Sequence, residues 1–167
     1  LTGKQGDVMV ESVKVARTIA TNLLPDDIKI KINDEIQVSG SFGLHIHCPE
    51  GGVPKDGPSA GGVMTLVILS QLCGIPITND IAMTGEIDLN GTIRAIGGLH
   101  SKLQGAKNAG CSLVIIPKDN EQDLNKIYKE MSFDTMKIVM VSNIYETIPY
   151  IFKNNKINFR KYGINVS

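Results

Sequence analysis

From Asp7 to Leu24 apolar residues recur three and four apart, at Met9, Val13, Ala16, Ala20 and Leu23, and Pro25 closes the run. That spacing predicts an amphipathic helix. Next comes "DDIKIKINDEIQVSGSFG", where Ile28, Ile30 and Ile32 alternate with charged residues before "NDE" and then Ile36 and Val38. Alternation on both sides of a polar break predicts an exposed β-hairpin. "GLHIHCP" reads as a short strand and "EGGVPKDGPS" as a loop rich in Gly and Pro. The run "AGGVMTLVILSQLCG" is apolar on nearly every side. It predicts a buried helix with Ser59 at its N-cap, ended by Gly74 and Pro76.

In the second half, "IAMTGEIDLNGTIRAIGG" holds two alternating runs around Asn90-Gly91, a strong hairpin signal. "LHSKLQGAKNAG" predicts a helix stopped by Gly110, "SLVIIP" and "KIVMVS" two buried strands, "NEQDLNKIYKEM" an acid-capped helix, and "IYETIPYIFK" a short last helix. Strands alternating with helices imply a partly parallel sheet, with the hairpins attached from the first half. The fold class is mixed α/β, with hairpins and βα units. Residues 1–153 form one domain, and the polar stretch 154–167 is expected to be a loosely held tail.

Composition narrows the function. The chain has 167 residues, 42% hydrophobic and 20% charged, which is enough to bury a core and unlike a disordered segment. Formal net charge is zero and no basic block stands out, so neither nucleic acid nor an anionic membrane is indicated as a partner. The longest apolar run, Val63 to Ile77, is broken by Ser70, Gln71, Gly74 and Pro76 and is too short to span a bilayer. Cys48, Cys73 and Cys111 are odd in number and widely spaced, which fits a reducing, intracellular compartment better than a disulfide framework. No signal peptide is evident.

The candidate chemistry centres on "PKDGPSAGG", where Ser59 is either a capping hydroxyl or a nucleophile. A nucleophile needs a base. "GPSAG" fits the G-x-S-x-G elbow, with Asp80 or Asp88 and then His100 as partners, but an elbow needs a strand running straight into the serine and here a loop precedes it. His45 and His47, two apart on a strand, point to one face while Ile46 and Cys48 point to the other. That face could serve a serine or part of a zinc site, but no further pair stands at ligand spacing, so no metal is expected. Lys102 is the third candidate. It lies within the stripe Leu99, Leu103, Ala106 and Ala109, whereas Lys107 lies off it. A lysine there either extends its ammonium to the edge or is desolvated and left as a neutral amine able to take a proton.

"PEGGVPKDGPSAGG" followed by "AMTGEIDLNGTIRAIGGLHSKLQGAKNAG" resembles the proteolytic domain of the Lon proteases, ATP-dependent serine peptidases. The resemblance runs from "LTGKQGDVMVES" to about Val141, and its motifs "PKDGPSAG", "MTGEI" and "IGGLxxKLxxAxxAG" are long and specific. It implies that Ser59 and Lys102 form a Ser–Lys dyad. It further implies that Thr84, the threonine of "MTGE", orients the lysine amine. Glu86 would tune local charge or simply be exposed. Asp56 would hold the loop or bond the lysine in an inactive state, and His45 and His47 would support the site. The helix N-terminus at Ser59 would offer an oxyanion hole, with Gly57, Ala60 and Gly61 allowing a peptide backbone to approach. His100 and Ser101 fill variable positions of the motif, and residues 25–42 read as longer and more strand-like than the family pattern.

The resemblance implies a serine endopeptidase that degrades misfolded and regulatory proteins, fed as unfolded chains by an attached AAA+ ATPase module and working as a hexameric homo-oligomer. It places the protein in a bacterial cytoplasm or a mitochondrial matrix. No cofactor is expected in this domain, since ATP and Mg would belong to the AAA+ module. "GGVPKDGPS" matches a phosphate-binding loop only in the separation of Gly52 and Gly57, without the Lys-Ser/Thr pair that should follow. The chain reads as the C-terminal part of such a protein. The alternative is a catalytically silent module of the same fold that forms rings or binds substrate, against which an intact Ser59, Lys102 and Thr84 speak.

Overall fold

The computed structural model describes residues 1–39 and 43–152. The expected tail, 154–167, lies outside the described residues. Helix α1, Asp7–Leu23, buries Met9, Ser12, Val13, Ala16, Ile19, Ala20 and Leu23, the stripe that its three-and-four spacing predicts. It packs chiefly on helix α3, Gly61–Cys73, which is closed by Gly74 in the left-handed conformation. Helix α3 is not apolar to the core on every side, since Val67 is half exposed.

Within the segment expected to be a hairpin, helix α2 spans Asp26–Ser39 instead, and residues 40–42 lie outside the described residues. A run with isoleucines at every second position also places Ile28 and Ile32 four apart, on one face of a helix. Those two pack against the core, while Ile30 and Val38 are left 60% and 90% exposed. Asp26 and Asp27 in the first turn suit the positive end of the helix, and Pro25 accepts bonds from the N–H groups of Ile28 and Lys29. These start signals, with burial of one stripe, outweigh the alternation.

Strands β1, Ile81–Met83, β4, Leu113–Pro117, and β5, Lys137–Val141, form a parallel sheet in the order β1-β4-β5. Ile81 stands beside Leu113, and Leu113 beside Lys137. The sheet divides two hydrophobic clusters. Leu113 and Ile115 of β4 face α1 and α3, and Val114 and Ile116 face helix α4, Leu99–Asn108, and helix α5, Glu121–Ile127. Side-chain alternation along one fully buried strand therefore separates the cores. Strand β5 is less buried than its apolar run suggests, because it is a sheet edge with Lys137 and Met140 exposed. The last described elements are a 3-10 turn, Ile144–Thr147, and helix α6, Ile148–Ile151.

The hairpin around Asn90-Gly91 is smaller than its sequence suggests. It pairs β2, Glu86–Ile87, with β3, Ile93–Arg94. The apolar run before it divides at Thr84-Gly85, with β1 going to the parallel sheet and β2 to the hairpin. "GLHIHCP" does not form a strand of either sheet. It makes one parallel bridge, Thr2 with His47, through Thr2 N–H to the Ile46 carbonyl at 3.0 Å and Cys48 N–H to the Thr2 carbonyl at 3.1 Å.

Candidate active site

Ser59 and Lys102 meet at the carboxyl ends of β1 and β4, a place where parallel sheets commonly bind ligands. Lys102 Nζ donates to Ser59 Oγ at 3.2 Å. Ser59 does not occupy the N-cap of α3. That position is Ala60, and no side chain caps the helix. The reason is the tight turn before it, in which Gly61 N–H donates to the Pro58 carbonyl at 2.9 Å and delays the helix start. The Ser59 hydroxyl is therefore not spent on a helix N–H.

The backbone of Ser59 is fastened from several sides. Its carbonyl accepts Gly85 N–H at 2.8 Å and the Thr84 hydroxyl at 3.3 Å. Thr84 is 7% exposed and follows β1, where its own N–H donates to the Ile115 carbonyl at 3.1 Å. The hydroxyl expected to orient the lysine thus bonds the Ser59 carbonyl instead. Among the described residues, Ser59 is the one hydrogen-bond partner of Lys102 Nζ.

Asp56 acts on the other side of the loop. Its Oδ1 accepts Met9 N–H and Gly57 N–H, each at 2.8 Å. The first bond caps α1 from a distance, because Gly6 at the N-cap has no side chain to do so. A Cβ on Gly6 would lie 2.4 Å from Asp56 Cγ, so the approach requires glycine. Gly57 turns the loop at φ +113°, a region open to glycine and rarely to other residues. Asp56 makes no bond to Lys102 in this structure. Ser12, buried on α1, lies with its hydroxyl 3.4 Å from the Pro58 carbonyl, and Gly61 packs against it.

Of the three positions expected to let a peptide backbone approach, Gly57 has its N–H held by Asp56 and Gly61 by Pro58. Among the described residues, the N–H groups of Ser59 and Ala60 have no acceptor. Glu86 pairs in register with Arg94 on the hairpin and is half-buried, while Arg94 itself bonds Asp88 at 2.9 Å. His45 and His47 are exposed and share Thr2, whose hydroxyl lies 2.9 Å from His45 Nε2 and 2.8 Å from His47 Nδ1. Neither imidazole bonds Ser59 or Lys102. Among the described residues no group of three His, Cys, Asp or Glu side chains could hold a metal.

Lys102 is not among aliphatic neighbours. Leu99, Leu103 and Ala106 are buried, whereas Lys102 and Ala109 are exposed. At 3.6 residues per turn Lys102 sits about 60° round the helix from Leu99, at the stripe's margin and beside the Ser59 loop. Lys55, in the same loop as Asp56, turns its Nζ back to the Glu50 and Val53 carbonyls at 2.8 and 3.0 Å. Burial, with Asp27 nearby, pushes the Cys73 thiol up to about 11, so this side chain stays protonated and is no rival nucleophile.

Two residues that local reading passes over bond the segments beside Ser59 and Lys102. Ser12 looks like a polar interruption of the α1 stripe, and Asn120, read as the start of an acid-capped helix, is a buried residue that bonds the loop before α4. Neither carries a local sign of this, because each acts on backbone far along the chain.

The described geometry coincides with clear relationships. Residues 1–154 match the family model described as Lon protease (S16) C-terminal proteolytic domain. The chain is 42% identical over 150 residues to a Lon protease of Fervidobacterium nodosum, covering 89% of this chain and 17% of that protein. It is 45% identical over 151 residues to a Lon protease homolog of Acanthamoeba polyphaga mimivirus, covering 89% and 14%. To a Lon protease of Clostridioides difficile it is 43% identical over 148 residues, covering 89% and 18%. The chain therefore spans less than a fifth of the length of these relatives. With a matching sequence over most of its length and a mixed α/β fold around a parallel sheet, the chain belongs to the family of Lon protease C-terminal proteolytic domains.

Proposed function

We propose that this domain is a serine endopeptidase in which Ser59 is the nucleophile and Lys102 the general base. The observation that carries the proposal is the 3.2 Å contact between Lys102 Nζ and Ser59 Oγ, within the reach that proton transfer requires. As the base, Lys102 acts through its neutral amine, and the pair bonds with Ser59 donating to Nζ. Ser59 Oγ attacks the scissile carbonyl as Lys102 takes its proton. The developing oxyanion is met by the unengaged N–H groups of Ser59 and Ala60, at the positive end of α3. Lys102 then protonates the leaving amine, and water, deprotonated by the same amine, releases the acyl group.

A bound peptide, or a neighbouring copy in a ring, would cover the exposed Lys102 and strip water from the amine. Substrates on this reading are unfolded or misfolded proteins, delivered by an ATPase module elsewhere in the protein. ATP and Mg would act in that module, because the loop before Ser59 lacks a Lys-Ser/Thr pair and turns Lys55 inward.

Hydrolysis of a fluorogenic peptide by the protein tests the assignment. Ser59→Ala and Lys102→Ala should each lower kcat by about 1,000-fold or more, with melting temperature unchanged. Equal turnover by all three proteins would overturn the dyad.

A further inference from the structure

We propose that Asn120 is a positioning residue for Lys102, acting through the backbone of Ile96; the inference rests on the Ser59–Lys102 reading and deepens it. Asn120 is 2% exposed. Its Oδ1 accepts Ile96 N–H at 3.0 Å, and its Nδ2 donates to the Ile96 carbonyl at 3.0 Å and to Asp123 Oδ2 at 3.0 Å. One amide thus holds both polar groups of one backbone residue. Its orientation is determined by its partners, since the Ile96 N–H can only donate and the Ile96 carbonyl and the Asp123 carboxylate can only accept.

Ile96 belongs to the connection from β3 into α4, and it packs in the same cluster as Leu99 and Leu103. Helix α4 has no side-chain cap. It opens from Gly98, held in the left-handed conformation at φ +69°, and Lys102 N–H makes an early helical bond to the Gly98 carbonyl at 3.2 Å. Lys102 is therefore placed one turn into a helix whose entry is clamped by Asn120.

The clamp matters because the lysine has no other guide. Its side chain is exposed and has four rotatable bonds, and among the described residues its nitrogen bonds only Ser59. Where Nζ can reach is decided by where α4 puts the Lys102 Cα. Asn120 ends the 3-10 turn Lys118–Asn120 that directly follows β4, and β4 pairs with β1, whose extension through Thr84 and Gly85 holds the Ser59 carbonyl. The two reacting groups are thereby referred to one rigid pair of strands, one through Thr84 and Gly85 and the other through Asn120 and Ile96. Misplacement by about 1 Å can lower a rate by roughly 100-fold, so such a tie is expected to register in kcat.

The test compares Asn120→Ala with Asp123→Ala, which removes only the support of the amide, and with Ile127→Ala, buried in the same cluster without a bond to Ile96. Turnover of the fluorogenic peptide is measured in the protein beside Lys102→Ala, at temperatures where each variant is folded by circular dichroism. Asn120→Ala should lower kcat by about 10-fold or more with KM within about twofold, Asp123→Ala should lower it less, and Ile127→Ala should leave it nearly unchanged. A kcat for Asn120→Ala equal to that of Ile127→Ala, or a loss confined to KM, would overturn the proposal. Should Asn120→Ala not fold, the same comparison between Asp123→Ala and Ile127→Ala decides it. Wild-type turnover by Lys102→Ala would remove the dyad itself. Loss of turnover in Lys102→Ala, with Asn120→Ala behaving as Ile127→Ala, would remove only the role of Asn120.

Discussion

Ser59 and Lys102 come to the sheet from opposite faces, and the two faces hold them differently. On the α1–α3 face, bonds converge on the Ser59 loop: Asp56 accepts from Met9 and Gly57 N–H, and Gly85 and Thr84 donate to the Ser59 carbonyl. On the α4–α5 face the lysine head group has one bond among the described residues, and its helix buries Leu99, Leu103 and Ala106 after a loop that Asn120 bonds at Ile96. Ser59 is held by bonds that converge on its backbone and its loop. Lys102 is held at a distance, through the helix that carries it. A long cationic side chain can change partners as it gains or loses a proton, whereas an oxygen in an oxyanion site has to stay where the backbone N–H groups are.

This contrast predicts different failures on the two faces. The largest should come from Leu103→Ala, which empties a fully buried position between α4 and the sheet. It is expected to lower stability by about 2–5 kcal/mol, read by chemical denaturation, and to impair turnover through the lysine's helix. A loss below about 1 kcal/mol would mean that burial does not seat α4. Asp56→Ala should be milder for stability, about 1 kcal/mol, because a helix cap and one loop bond are lost. Its kcat should nevertheless fall, since Gly57 and the turn into Ser59 are released. An unchanged kcat would show that the loop is held without Asp56.

The smallest effect concerns the β2–β3 hairpin, which lies in sequence between Ser59 and Lys102. Partial desolvation would raise the Asp88 carboxyl, but bonds from Thr92 and Asn90 N–H and from Arg94 outweigh it and hold the group below its ordinary value. A carboxylate whose folded value is depressed stabilises the fold above its unfolded value, near pH 4, and that contribution is lost as pH falls through the folded value. Asp88→Asn should therefore lower the melting temperature slightly at pH 7, and the gap from wild type should close below about pH 4. A gap that persists unchanged at pH 2 would contradict the assignment.

Much of the second half of the fold was readable because its periods are unambiguous. β4 is five apolar residues long, too short for a buried helix, and Gly110 ends α4 where the stripe stops. The hairpin was readable in part: Gly91 takes the left-handed turn, but the run before it divides at Thr84-Gly85 because Gly85 N–H is drawn to the Ser59 carbonyl, a partner far outside the run. Residues 26–39 were misread because isoleucines at every second position satisfy a strand's period and also leave Ile28 and Ile32 on one helical face. The choice was made by the core those two could reach. For a related reason the stripe leaves open whether Lys102 is desolvated or reaches the edge, since a position at the margin of a stripe is buried or exposed according to what packs beside it.

The sequence by itself singled out the two candidate residues: a serine set in a Gly/Pro turn before an apolar helix, and a lysine on a short helix with a regular stripe. Propensity, turn chemistry and hydrophobic period act over a few residues, and those features are local. Tertiary structure alone decided that two side chains 43 residues apart touch, that Thr84 bonds the Ser59 carbonyl, and that Lys102 stands in the open. Each of these depends on the register of β1 against β4 and on the seating of α3 and α4 on opposite faces, which no single segment specifies.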